Sequence, residues 1–112
     1  MKLKIKIYSE LDNLVESEEY FAIKTDNVIK YIDLANNKMN IDLENNLIIR
    51  ENSDFIFNID FINNNINIFM KKIKKYFNKK INTLKLIKTN NSFEVKYKLI
   101  DENIINNFYI KY

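Results

Sequence analysis

Carboxylates set side by side are the residues here that come nearest to a catalytic pattern, an acid and a base acting on one substrate atom. Glu18-Glu19 and Asp101-Glu102 are such pairs. Neighbours on a strand point to opposite faces, so neither pair converges without an irregular backbone. Asp42 and Glu44 share a face, and the alternation around them makes it the wet one. Oxygen ligands alone would suit calcium or magnesium, but no spacing matches an EF-hand loop, and its glycine is missing. The 112 residues contain no glycine, proline, cysteine, histidine or tryptophan. That excludes a Ser-His-Asp triad, a thiol nucleophile, a thiolate zinc site and a glycine-rich phosphate loop. No catalytic residue, no metal site and no cofactor is expected, and the chain reads as a non-enzyme.

Binding is the remaining chemistry. Eight Phe and seven Tyr supply apolar surface. Phe55, Phe57, Phe93 and Tyr97 fall at inward positions of alternating segments. They would line a pocket for a small apolar ligand, or else fill a packed core. The other feature is cationic. Residues 1–60 hold seven bases against twelve acids, a net of −5, and residues 61–112 hold eleven against three, a net of +8. No acid lies between Asp60 and Glu94, and Lys71, Lys72, Lys74, Lys75, Lys79 and Lys80 crowd that gap. Beside Phe69, Tyr76 and Phe77 they would suit single-stranded nucleic acid or an anionic membrane surface. The competing reading is a solvated face, because Lys, Asn and Ile all rise together in AT-rich genomes. Nucleic acid is therefore the less favoured partner. A structural or interaction module is the third class.

The elements that must position these residues are short strands. Apolar and polar residues alternate in Lys2–Tyr8, Met39–Leu43, Phe55–Phe61, Phe93–Leu99 and Phe108–Tyr112. A period of two with one wet face marks antiparallel sheet. In Val28–Leu34 the apolar set is read as Val28, Ile32 and Leu34, with Lys30 breaking the pattern. Turn signals rich in Asn recur roughly every 8–12 residues, as in a sandwich or barrel. With no glycine, Asn-Asn pairs are expected to make the primed hairpin turns, since Asn tolerates positive φ. Ser9–Glu19 reads as a loop or loose strand, and no linker or internal repeat is visible. One segment resists. Ile66, Phe69, Met70, Ile73, Tyr76 and Phe77 follow helical spacing, which favours a short helix within 66–80. The alternative is two strands joined by a lysine-rich link.

No run approaches the ~20 apolar residues of a membrane span. The opening Met1–Ile7 lacks the continuous apolar stretch of a signal peptide, so a cytoplasmic protein is expected.

The order of features resembles the small bacterial YwiB-like family of uncharacterised proteins. The likeness lies in the Lys-rich opening strand Lys2–Tyr8 and an acidic stretch leading into the aromatic strand Glu16–Lys24. Hairpins ending in Leu47-Ile48-Ile49-Arg50 follow, then the apolar strand Asp54–Phe61 and the closing Phe93–Leu99 strand with Tyr97-x-Leu99. Two family glycines are absent, with Asn52 and Ser53 in place of one and Asn78 near the other. The resemblance implies a calycin-like (lipocalin-like) antiparallel β-barrel, one domain over 1–112, with an interior pocket and no catalytic residues. The fold class expected is all-β, and the first functional reading is a non-enzymatic barrel binding a small apolar ligand inside.

Overall fold

A computed structural model describes residues 1–11 and 14–112. The strands are β1 (Lys2–Leu11), β2 (Leu14–Thr25), β3 (Val28–Ile32), β4 (Lys38–Asp42) and β5 (Leu47–Glu51). They continue with β6 (Phe55–Asp60), β7 (Asn65–Met70), β8 (Lys75–Lys88), β9 (Ser92–Leu99) and β10 (Ile104–Lys111). Each pairs antiparallel with the next, and β1 pairs with β10, so the sheet closes into a barrel. The expected all-β, lipocalin-like barrel is the fold found. Closure gives every strand two neighbours, so no strand stands at an edge along its whole length. Among the described residues no helix is long and apolar enough to cross a membrane.

Alternation fills the inside. Ile5 and Ile7, Ile29 and Tyr31, Phe93, Val95, Tyr97 and Leu99, and Phe108 and Ile110 are all buried. Of the two readings of Ser9–Glu19 the strand holds: Ser9–Leu11 and Leu14–Glu19 are paired from Ser9↔Glu16 to Lys6↔Glu19, while Asp12 and Asn13 lie outside the described residues. Two segments differ from the sequence reading. The buried residues of β3 are Ile29 and Tyr31, while Ile32 and Leu34 are exposed. Lys30 marks the outer face, and Ile29 and Tyr31 on either side of it point inward. The helix within 66–80 is absent: β7 and β8 occupy it, joined by the turn 71–74. A helix there would forfeit the ladders that β7 makes with both β6 and β8. Those long-range pairs override local periodicity.

Glycine-free turning takes a uniform form. The connections 43–46, 61–64, 71–74 and 100–103 each span four residues between paired strand ends. Each ends on a left-handed residue, Asn46, Asn64, Lys74 and Asn103, at φ 57, 55, 52 and 53°. One such residue per bend replaces the two of the primed turns expected.

A short repeat, missed in the sequence, underlies three bends: Ile32-Asp33-Leu34-Ala35-Asn36-Asn37, Ile41-Asp42-Leu43-Glu44-Asn45-Asn46 and Ile59-Asp60-Phe61-Ile62-Asn63-Asn64. In the second copy Asp42 Oδ1 accepts from the backbone N–H of Glu44 and Asn45 at 3.1 and 3.0 Å. Its Oδ2 accepts from Asn45 Nδ2 at 3.0 Å. Asp60 repeats this with Ile62 and Asn63 at 3.0, 2.9 and 2.7 Å. In the first copy the loop is one residue longer, and Asp33 takes Asn37 instead, at 2.8 and 3.0 Å. The consequence is in packing. Leu43 and Phe61 tuck into the core, whereas Leu34, at the same place in the motif, stays out.

Candidate functional site

The barrel wall has one weak seam. β2 and β3 share only the pairs Ile23↔Lys30, Lys24↔Ile29 and Thr25↔Val28. By contrast β1 and β2 are paired from Lys2↔Ile23 to Leu11↔Leu14. Lys24 gives both backbone groups to Met1: its N–H donates to the Met1 carbonyl at 2.9 Å, and its carbonyl accepts from the Met1 ammonium at 3.1 Å. Alternate residues of an antiparallel strand bond to alternate sides. Ile23 and Phe21 therefore turn their backbone groups toward β3. Ile23 meets Lys30; Phe21 has no ladder partner on that side. Above the ladder a side chain bridges the gap. The Tyr20 hydroxyl accepts from Leu34 N–H at 3.3 Å, and its ring lies 5.3 Å from that of Tyr31.

Where the strands part, an open groove of about 860 Å³ runs over β2, β3 and β4. Phe21, Ile23 and Ile32 line its outer part and Ala22, Tyr31 and Met39 its inner part, with Lys2, Lys30 and Lys38 at the rim. Phe21 is 84% exposed, Ile32 57% and Ile23 52%. Large apolar side chains are thus clustered in the open along this groove.

Beneath the groove lies an interior cavity of about 100 Å³, lined by Tyr20, Tyr31, Asp33, Met39, Arg50 and Tyr97 among others. Tyr31 and Met39 border both spaces. Arg50 sits on β5 between Met39 of β4 and Phe57 of β6. Its guanidinium carbon is 5.8 Å from the Phe57 ring centre. Its Nε is shielded from solvent and unpartnered, and among the described residues no carboxylate lies within ion-pairing distance of it. Asp33 borders the cavity, but Asn37 occupies both its oxygens, and Asn37 accepts in turn from Asn52 Nδ2 at 3.3 Å. Burial, then the charge of Asp33 and the neighbouring Tyr20, pushes the Tyr31 phenol far above its usual range. It keeps its proton and can donate it.

The residues singled out in the sequence are dispersed. Phe93 is fully buried, its ring 6.3 Å from Phe61. Tyr97 is buried against Phe61 at 5.3 Å and also borders the interior cavity. Phe57 packs on the core under Arg50, and Phe55 is half-buried beside it at 5.6 Å. Of the four, Tyr97 alone lines the cavity. The lysines divide likewise. Lys71, Lys72 and Lys74 form the β7–β8 turn, and Lys75, Lys79 and Lys80 lie on β8. Lys71 pairs with Glu51 at 2.6 Å and Lys79 with Glu102. Lys79 and Lys80 are adjacent on a strand and so face opposite sides. The six do not make one cationic plane. Arg50, Tyr20, Tyr31 and the outward Phe21, Ile23 and Ile32 went unselected. The signal for Arg50 was its place two residues after Ile48 on an alternating strand, which puts it indoors. Among the described residues no three acids converge on a metal-sized site.

No known protein family, curated protein or solved structure matches the chain.

Proposed function

We propose that this protein is a non-enzymatic binding barrel that takes a small ligand with an apolar body at the β2–β3 seam. The groove left where that ladder stops, with Phe21, Ile23 and Ile32 in the open, is the observation that carries the reading. Its volume of about 860 Å³ falls within the range of small-molecule sites, roughly 300–1,000 Å³. The interior cavity of about 100 Å³ admits only the end of such a ligand. A cytoplasmic setting and kinship with the YwiB-like bacterial family go with this reading, on cysteine-free composition and the order of elements.

Nile red, which is uncharged, tests the groove. Saturable fluorescence enhancement is expected, weakened about tenfold when Phe21→Gln and Ile32→Gln remove the exposed apolar surface, at a cost near 1.4 kcal/mol. Both side chains are largely exposed, so the melting temperature should hold. Enhancement no greater than a denatured control gives would refute the proposal.

A nucleic-acid partner is the second reading. The Phe69 and Tyr76 rings meet at a tilt with centres 4.6 Å apart, Tyr76 is 67% exposed, and Lys72, Lys74, Lys75 and Lys80 of the same turn and strand have no carboxylate partner among the described residues. Retention on single-stranded nucleic acid should then fall with salt, and fall again when these four lysines become Gln. Retention indifferent to salt removes this alternative.

A further inference from the structure

The Arg50 guanidinium, half-buried on the cavity with its Nε shielded and unpartnered, is the group in this molecule that folding alone explains least. A shielded N–H without a partner is costly, and a ligand oxygen would satisfy it. Arg50 is also the chain's only arginine, set indoors while the lysines stay at the rim and surface. Arginine differs from lysine in presenting a planar fork that matches the two oxygens of a carboxylate.

We propose that the interior cavity is an oxyanion site, and that the ligand is a monocarboxylate whose apolar body lies in the seam groove. This rests on the groove reading above and names the ligand's class. The cavity of about 100 Å³ has room for a small head group, by comparison with about 30 Å³ per water. Arg50 supplies the charge, and the protonated Tyr31 hydroxyl supplies a neutral donor on the same wall. Tyr31 and Met39 border both spaces, and the proposal requires the ligand's body to pass beside them from the cavity to the groove. Asp33 is the other charged group on the cavity. Its carboxylate, already committed to Asn37, repels anions and sets the preference for one negative charge over two.

The test is calorimetric titration of the full chain with octanoate and with octanol, ligands of one body and different heads. Octanoate should bind about tenfold more tightly or better, the difference expected of a charge-assisted pair. Arg50→Gln should bring the two ligands within about twofold of each other, chiefly by weakening octanoate. Arg50→Met is the second variant, should the first fail to fold by circular dichroism, and the same convergence is expected of it. Arg50→Lys should keep part of the preference. Equal binding of octanoate and octanol to the native chain, or a preference that survives both Arg50→Gln and Arg50→Met, overturns the anion site. With Nile red binding intact, that result leaves the groove reading standing. If neither octyl ligand nor Nile red binds, both fall.

Discussion

At the scale of the residue, two aspartates and one arginine stand out. Asp42 and Asp60 each fold their own turn around one carboxylate. The Asn45 side-chain amide, then the N–H groups of Asn45 and Glu44, hold the Asp42 carboxyl below its ordinary range against a burial effect that raises it. For Asp60 burial is the largest single influence and pushes upward, but the hydrogen bonds from Asn63 and Ile62 together outweigh it. A carboxyl depressed in the folded state stabilises that state above its unfolded pKa, about 4, and the contribution is lost as pH falls through the folded value. Melting temperature should therefore drop on acidification below about pH 4, and the Asp42→Asn, Asp60→Asn double variant should show a shallower drop. At neutral pH, Asp60→Ala should cost about 1 kcal/mol by denaturant titration. Arg50 behaves oppositely. With no ligand present, Arg50→Met should raise stability by about 1 kcal/mol, because it removes a shielded N–H that has no hydrogen-bond partner. A melting temperature that falls would mean Arg50 already has its partner within the chain.

At the scale of the element, the chain shows how a barrel turns without glycine. Three of the four left-handed residues that close its four-residue bends are Asn, which tolerates positive φ. The fourth is Lys74 at φ 52°, whose Cβ and side chain gain nothing there. Lys74→Gly should stabilise the protein by about 1 kcal/mol, read from the denaturant midpoint. Unchanged stability would show that the bend is relaxed with a Cβ in place. This position also explains why residues 66–80 were hard to read. Strand alternation was legible wherever a wet face carried Lys, Glu or Asp, as in Phe93–Leu99. The Lys71–Lys74 bend carries no turn chemistry at all, so nothing in the local sequence divides β7 from β8. The pairing of Ile66, Ile68 and Met70 with β8 is a long-range fact. β3 failed for a related reason: with apolar residues on both faces, alternation could not say which face was inside.

At the scale of the whole molecule, closure itself was legible and the defect in it was not. Regularly spaced turns and period-two strands imply a closed sheet. Where two neighbours stop pairing depends on the twelve residues of β2 meeting the five of β3 across the seam. Of the candidate site, only Tyr97 was legible in the sequence; that Arg50, Tyr31 and the outward Phe21, Ile23 and Ile32 meet at one seam is a consequence of register. The central claim is that the ladder ends at Ile23↔Lys30 and leaves the upper edge of β2 open on that side. Native-state amide hydrogen exchange at Phe21 tests it most directly, with buried Val95 as the internal reference. The expected result is exchange at Phe21 by local opening, far faster than at Val95. Protection of Phe21 as strong as that of Val95 would mean that β2 and β3 are zipped to the top, and that no seam exists for a ligand to enter.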